Sequence, residues 1–454
     1  MSRLDPLALN FSHAYLPPAQ DTRGINVYQK ANGNSPSQVL ARGDQLFSGG
    51  KQQINFRAFV TRTNNPVGSG NIPIQQNGIQ TTNTDVFGFT YTAVITPNII
   101  NTARVSLNHW YQFADYTPKI TLDGLRQLGF SDNYYIYTPG FPTFSVSGYF
   151  NSSIDQIYIQ RDYHTLNRSD EVSWVHGKHS LQFGTDVINT FQYDNNLSRT
   201  NGSFGFDGSQ SGNALADFLI GRPVRFYQEN PAPDHLRSSN IAFYAQDDFR
   251  VNRRLTLNLG LRYELPLPTI ALNDATMAYR PGAQSTVYPT APPGLLFYGD
   301  PGITRSGTTT PTKSFGPRVG IAYGLTSDQK TVLRAAYGIY YNPNWSNEAG
   351  QFAIYQPFTR RIDLLTPPST SNPWANYPGG NPFPSTPSLG ETGATPGKNV
   401  VFDPDIASLA YGPNFRPLML QQWISACNGR SQRTGWLLSV MPEITEPISR
   451  TYGI

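Results

Sequence analysis

Strict alternation of apolar and polar residues is the feature of this sequence that most restricts its fold. Residues 255–263 read Leu-Thr-Leu-Asn-Leu-Gly-Leu-Arg-Tyr, which puts Leu255, Leu257, Leu259 and Leu261 opposite Thr256, Asn258 and Arg262. A period of two places successive side chains on opposite faces of an extended strand, whereas a helix repeats every 3.6 residues. Comparable alternation occurs at 87–95, 104–112, 318–323 and 331–340. The chain is therefore expected to be all-β.

The spacing of these strands predicts antiparallel hairpins with one short and one long end. Short turns are expected at 96–101, 175–180, 251–254 and 325–330, beginning roughly 75 residues apart. Between the hairpins run long segments rich in Gly, Pro, Asn, Ser and Tyr, at 115–162, 189–240, 265–313 and 342–416. Short periplasmic turns and long extracellular loops are typical of a transmembrane β-barrel. A soluble sandwich or solenoid with long loops stays open at this point.

Composition removes several other classes of protein. With a mean hydropathy of −0.40, the chain has no run of about 18 apolar residues for a membrane helix, although a barrel needs none. The 34 basic and 30 acidic residues nearly balance, so no nucleic-acid partner is expected. The single cysteine, Cys427, excludes an internal disulfide framework and a cysteine-based zinc site. Residues 1–6 lack the apolar core of a secretory signal.

Motifs that would carry chemistry are incomplete. The pair His176 and His179, with His164 upstream, resembles a metal-ligand set, but the pair falls in an expected turn with no carboxylate or cysteine at ligand spacing. Adjacent Asp247 and Asp248 point to opposite faces of a strand, so they cannot act together as a glycosidase pair. We therefore expect no catalytic residue, no cofactor and no metal site, and the sequence does not identify ligand-binding residues.

The arginines separate a barrel from a soluble sandwich. Arg104, Arg262, Arg318 and Arg334 alternate with apolar residues. A sandwich core would not tolerate them unpaired, while a wet lumen accepts them. Aromatic residues near the expected strand ends would form girdles at the membrane interfaces, or cross-strand packing if the sheet were soluble. These aromatic residues are Trp110, Tyr111, Trp174, Tyr263, Tyr323, Tyr340 and Tyr341.

Four segments resemble TonB-dependent receptors. They are residues 213–223 (Asn-Ala-Leu-Ala-Asp-Phe-Leu-Ile-Gly-Arg-Pro), 244–250, 255–264 and 315–323, with Arg3-Leu-Asp-Pro6 as a fifth. The sequence is most similar to the Oar-like group, which carries a carboxypeptidase-regulatory-like N-terminal domain. The resemblance implies an outer-membrane barrel of about 22 strands with a plugged lumen. It also implies contact with outer-membrane lipid and uptake or binding of a bulky nutrient such as a metal chelate or glycan.

The sequence departs from that family pattern at both ends. Contact with the energy-coupling complex of the inner membrane is expected only through the N-terminal part of such receptors, for which no segment of this sequence is a match. Only about a dozen strands can be counted. Residues 1–426 are therefore expected to be a partial barrel that does not close by itself, and residues 427–454 an atypical, poorly ordered tail. A secreted or surface glycan-binding adhesin and a polysaccharide-active enzyme are the competing hypotheses.

Overall fold

A computed structural model gives the structure of the chain. It describes residues 4–22, 24–27, 33, 35–67, 72, 77–117, 120–137, 139–152, 156–230, 233–327, 330–342, 346–352, 355–383, 397–402, 409–413, 415, 418–429, 436–439 and 443–445. No helix among these residues is long and apolar enough to cross a membrane.

The described residues are mostly strand, with four short α-helices. In chain order the elements are α1 (Pro6–Tyr15), β1 (Ser35–Phe47), β2 (Gln52–Val67), β3 (Asn77–Thr96), β4 (Ile99–Thr117), α2 (Leu122–Leu128), β5 (Thr143–Val146), β6 (Phe150–Asn151), β7 (Gln156–His176), β8 (His179–Ser198), β9 (Ser203–Phe206), α3 (Ala214–Leu219), β10 (Arg225–Glu229), β11 (Asp234–Arg250), β12 (Leu255–Ala271), β13 (Met277–Tyr279), β14 (Leu295–Phe297), β15 (Ser314–Gly324), β16 (Thr331–Asn342), α4 (Ser346–Phe352), β17 (Arg361–Leu365), β18 (Leu418–Gly429), β19 (Trp436–Ser439) and β20 (Glu443–Thr445).

One large antiparallel sheet contains all the long strands. Its order is β1-β2-β3-β4-β7-β8-β11-β12-β15-β16-β18-β19, with β20 also paired to β18. Four of its hairpins turn at the four places that the sequence predicts. Within the described residues β1 pairs only with β2, and β19 and β20 only with β18. The sheet is thus an open part of a barrel, as expected.

The two faces of β12 are those that the alternation predicts. Leu259 and Leu261 remain 43% and 48% exposed. Arg262 lies on the opposite face, where its guanidinium contacts Asp186 and Glu264. We call the two sides of the large sheet the apolar face, which carries Leu261, and the polar face, which carries Arg262. Antiparallel pairing extends both faces across the sheet, because directly paired residues share a face.

The apolar face is interrupted on β7. Register pairs place Arg168 beside Val105 and Asp170 beside Ala103, both on this face. Each polar group has a polar neighbour: Asp170 accepts a hydrogen bond from Asn101 at 2.6 Å, and Arg168 donates one to Asn189. The pairing lowers the cost of placing these groups where apolar residues prevail.

The strands reach much further into the long segments than the sequence predicts. β7 begins at Gln156 and β8 continues to Ser198, so both strands enter segments expected to be loops. β1 and β2 were not predicted either, and they turn at Gly49 and Gly50 with φ of 65° and 87°. At 160–164 in β7, polar residues occupy both faces, so no period of two is visible although the backbone pairs continuously. β2 does alternate, with Ile54, Phe56 and Val60 opposite Asn55, Arg57 and Thr61, and this pattern was missed.

The long connections fold into a second unit at the end of the sheet opposite the short turns, which we call the cap. It contains the five-stranded sheet β17-β10-β9-β5-β6 and the helices α1, α2 and α3. Its core is aromatic, and fully buried rings include Phe11, Phe144, Phe204, Phe218 and Trp374. These residues come from the N-terminus and from three separate connections, so the cap ties the long connections together.

The expectation for the tail stays a prediction. Trp436–Ser439 and Glu443–Thr445 pair with β18 as short edge strands. Residues 430–435, 440–442 and 446–454, including Pro442 and Pro447, lie outside the described part of the chain.

Candidate functional site

The polar face of the large sheet concentrates charged and aromatic side chains, and we treat it as the candidate site. Its centre is Arg262, whose Nη1 lies 2.7 Å from Asp186 Oδ2 and whose Nε lies 2.5 Å from Glu264 Oε1. The other oxygen of Glu264 accepts a hydrogen bond from Asn240 at 2.8 Å. Since one arginine meets two carboxylates, the cluster carries a net negative charge.

An aromatic ring packs flat beside this cluster. The ring of Tyr244 lies 5.7 Å from the guanidinium carbon of Arg262, and its hydroxyl donates to Glu171 at 2.6 Å. Gly184, paired with Tyr244 across the sheet, leaves the space that the ring fills, because a Cβ there would lie 2.4 Å from the ring and hydroxyl. Covering a strand glycine with a neighbouring aromatic ring stabilises the local register.

A second charged cluster, around Asp194, lies nearer the cap. Asp194 Oδ2 accepts from Arg161 Nε at 2.8 Å and from the Tyr163 hydroxyl at 3.1 Å, while Arg161 also donates to Gln112. Asp234, which pairs with Asp194 across β8 and β11, is 9% exposed. The polar face therefore holds one buried and one half-buried carboxylate next to one arginine at this level.

Two recesses open on the polar face. The first has a volume of about 460 Å³ and combines Arg318, Asn258 and Gln422 with the ring of Tyr340. The Arg318 guanidinium lies 4.7 Å from the centre of that ring, a cation–π contact. Gly338 also lines this recess. It has no side chain, and the ring of Tyr340 lies in the space that a side chain would take.

The second recess, of about 470 Å³, lies towards the other edge of the sheet and is more basic. Arg42, Arg57 and Arg104 line it together with Asp44, which Arg42 binds at 2.7 Å. Three guanidinium groups against one carboxylate favour an anionic occupant. Neither recess was identified from the sequence, although three of their lining residues, Arg104, Asn258 and Arg318, were predicted on this face.

The connection between β12 and β15 holds a structured acidic turn. The Asp300 carboxylate is 4% exposed and accepts from the backbone N–H groups of Thr286, Val287 and Phe297 and from the hydroxyls of Ser285 and Thr286. Burial by itself raises the pKa of Asp300, but these hydrogen bonds outweigh it and hold the pKa below the ordinary aspartate value. The carboxylate fixes this turn and is not aimed at a ligand.

The histidine and aspartate motifs are found in separate places. His179 Nδ1 lies 2.7 Å from Asp247 Oδ2 and its ring stacks on Phe249, next to the turn at 177–178. Asp248 faces the other side and accepts from Asn258, as the alternation predicts. His164 lies twelve positions before His176 along β7 and pairs instead with His109 of β4.

The aromatic girdle was predicted only in part. Trp174, Tyr263 and Tyr323 lie on the apolar face. Trp174 and Tyr323 are 37% and 39% exposed, and Tyr263 packs on the ring of Phe315 across the strand pair. The prediction of a girdle position was wrong for Trp110 and Tyr340, which lie on the polar face. There Trp110 packs on Tyr163 and Tyr340 on Arg318. Position near a strand end does not distinguish the faces, whereas odd or even numbering within the strand does.

Long antiparallel strands with one apolar and one charged face, short turns at one end and long connections at the other define a transmembrane β-barrel. The chain belongs to the family described as outer membrane beta barrel domain, whose model matches residues 1–438. It is therefore an outer-membrane protein. No curated protein matches the sequence.

Several solved structures are similar to this chain. The outer membrane transporter YddB from Escherichia coli has a TM-score of 0.49 at 9% identity, covering 91% of this chain and 40% of that protein. The alcaligin outer membrane receptor FauA from Bordetella pertussis has a TM-score of 0.44 at 8% identity, with 88% and 42% covered. The siderophore receptor PirA from Acinetobacter baumannii has a TM-score of 0.42 at 9% identity, with 95% and 44% covered. The chain spans less than half the length of each of these proteins.

Proposed function

We propose that this chain is part of a TonB-dependent outer-membrane receptor that binds or imports a bulky nutrient, in a non-enzymatic role. The observation that carries the proposal is the polar face, where charged groups and aromatic rings are held in place opposite an apolar, exposed face. In a membrane barrel the apolar face meets lipid, so the polar face lines the lumen. The motifs at residues 213–223 and 315–323 support the finer assignment to the Oar-like group.

The lining of the recesses favours an anionic metal chelate over a neutral glycan. Arg318 stacked on Tyr340 and the arginines at 42, 57 and 104 offer cations and aromatic surface in recesses of about 460 and 470 Å³. Arginine provides planar, bidentate donors for carboxylate or catecholate oxygens. A neutral glycan would bind by ring stacking and hydroxyl contacts, which Tyr340, Asn258 and Gln422 offer in the first recess, but it would leave the arginines of both recesses without an anionic partner.

Binding to the full chain in detergent micelles tests this proposal. A ferric catecholate complex and a neutral malto-oligosaccharide are titrated separately, with tryptophan fluorescence as the signal. We expect saturable binding of the ferric complex, weakened at least about tenfold by Arg318→Gln, the loss of one charge-assisted contact. Leu261→Ala on the apolar face, away from both recesses, is the matched control and leaves binding unchanged.

Two results would contradict the proposal. The first is failure of the unmodified, folded chain to bind either compound. The second is saccharide binding that is unaffected by Arg318→Gln and is lost when the cap is cleaved. That outcome would favour the competing hypothesis of a surface glycan-binding adhesin.

A further inference from the structure

Two histidines on the apolar face stack directly across β4 and β7. The rings of His109 and His164 have centroids 4.4 Å apart and planes only 2° from parallel. Both Nε2 atoms point at one oxygen, Asp162 Oδ1, at 2.8 and 3.0 Å. These three ligand atoms all lie within 4.8 Å of one another.

The sheet itself brings the three groups together. His109 and His164 are register partners, and Asp162 lies two residues before His164, on the same face of β7. In a pleated strand residues i and i+2 share a face, and opposite residues across the pair are close neighbours. No side chain has to leave the strand geometry for the three groups to meet.

A further carboxylate stands behind His109. Asp85 Oδ2 lies 3.5 Å from His109 Nδ1, and Asp85 Oδ1 is held by Arg62 Nη1 at 2.6 Å. A carboxylate at the second nitrogen of a ligating histidine fixes its tautomer and orients its ring towards a metal. The arrangement Arg62–Asp85–His109 therefore supplies the outer support that metal-binding histidines have.

The site is accessible from outside the sheet. The side chains of His109, Asp162 and His164 are 28%, 36% and 46% exposed. His109 lies ten residues above the start of β4, which at 3.4 Å per residue and a tilt near 40° places it about 26 Å above the short turn. The apolar band of such barrels is about 25 Å tall, so the site lies at its outer edge, beneath the cap.

We propose that His109, His164 and Asp162 bind one divalent transition-metal ion of the Zn²⁺ type. Two imidazole nitrogens and one carboxylate oxygen are the ligand set that zinc takes when a fourth position is left to water. Bonds of about 2.0–2.1 Å in a tetrahedron separate the ligand atoms by about 3.3 Å, so the two contacts to Asp162 lengthen by less than about 0.5 Å.

Binding needs a change of tautomer and no net loss of protons from neutral imidazole. Without metal, each Nε2–H donates to Asp162. With metal, each Nε2 uses its lone pair as a ligand and each imidazole carries its proton on Nδ1; the Nδ1 of His109 faces Asp85. The ion would join β4 to β7, the two strands connected through the part of the cap that contains α2, β5 and β6. The site is independent of whatever passes through the lumen.

Zinc titration of the full chain in detergent micelles, by calorimetry and by competition with a chromophoric chelator, tests this proposal. We expect one Zn²⁺ per chain, with Mg²⁺ unable to compete because it prefers oxygen ligands. His164→Phe and His109→Phe keep a ring in the cross-strand pair but remove a ligand, and each weakens binding at least about tenfold. Co²⁺ bound in place of Zn²⁺ gives the visible absorption of a four-coordinate site, which each variant loses.

His235→Phe is the matched control, since His235 is a strand histidine packed on an aromatic ring, Tyr193, at 4.6 Å. This variant should bind zinc like the unmodified chain. Circular dichroism shows which variants are folded, and only those are compared. Loss of zinc binding in the double variant His176→Phe, His179→Phe, with the His109 and His164 variants unaffected, would overturn the proposal, as would the absence of stoichiometric binding in the unmodified chain.

Discussion

The carboxylate of Asp5 lies directly against Gly221, so that a Cβ on this glycine would stand 2.4 Å from Asp5 Oδ2. Gly221 also has a φ of +67°, and the backbone N–H of Asp5 donates to the carbonyl of Leu219 at 2.8 Å. Asp5 caps α1 at the same time, accepting from Leu7 and Ala8. Asp5 and Gly221, which belong to two of the segments that resemble the receptor family, thus meet in the cap for a structural reason.

Gly221→Ala is expected to destabilise the cap for two separable reasons. A left-handed conformation costs a non-glycine residue about 1–2 kcal/mol, and the new methyl group displaces the Asp5 carboxylate. Gly212→Ala is the control, because its φ is +87° with no atom within 4 Å of the added Cβ. Urea unfolding followed by tryptophan fluorescence should show a larger loss for Gly221→Ala. Equal losses would mean that the contact with Asp5 contributes nothing.

Arg262→Leu should destabilise the large sheet more than Glu264→Gln does. The first change leaves Asp186 and Glu264 facing each other without a cation, whereas the second retains one ion pair with Asp186. Because Arg262 is 20% exposed, we expect a cost of about 2–3 kcal/mol, below that of a fully buried pair. Samples are heated stepwise and then separated on a gel that preserves folded protein. The temperature at which the folded band disappears measures the difference in stability. A lower temperature for Glu264→Gln would refute this ranking.

Leu261→Arg tests the assignment of the apolar face to lipid. An arginine facing the middle of the bilayer costs about 2–4 kcal/mol, so folding into lipid vesicles should fall sharply. Asn258→Arg, on the polar face of the same strand and next to Asp248, should fold at nearly the level of the unmodified chain. The yield of protease-resistant protein in the vesicles is the measurement. Equal yields for the two variants would mean that Leu261 does not meet lipid.

The Asp300 turn should make the stability of the connection between β12 and β15 depend on acid pH. The pKa of Asp300 is lowered in the folded state, so its contribution is complete above the pKa of the unfolded aspartate, about 3.9. The contribution is lost as pH falls through the lower, folded value. Asp300→Asn should cost about 1–3 kcal/mol near neutral pH, because an amide places donors against the donors of Ser285 and Phe297. The unfolding midpoints of the unmodified chain and of Asp300→Asn are measured from pH 7 to pH 2. The two midpoints should converge at the acid end of this range.

Residues 436–445 should exchange their amide hydrogens faster than residues 418–429. β19 and β20 are short segments at the edge of the sheet, while β18 is paired on both sides. Edge strands of three or four residues open without disturbing the rest of the sheet. Hydrogen exchange read by mass spectrometry compares the two segments. Protection in 436–445 equal to that of β18 would show that the tail is a full member of the sheet.

The sequence by itself determined the strands, the faces and the short turns, because these depend on local geometry. Leucines at 255, 257, 259 and 261 must share a face in any extended strand, which fixes Arg262 on the other. A hairpin of two residues, as at Gly177 and Lys178, brings its strands together whatever the rest of the chain does. The same locality explains why strand segments with polar residues on both faces were taken for loops.

Only the tertiary structure decided what meets across the long connections. His109 and His164 become register partners because β4 and β7 pair across a connection of 38 residues, and no period in the sequence records that register. The contact between Asp5 and Gly221 likewise joins residues more than 200 positions apart through an aromatic core drawn from four segments. Local periodicity sets which face a side chain occupies, whereas its neighbours on that face are set by packing of the whole chain.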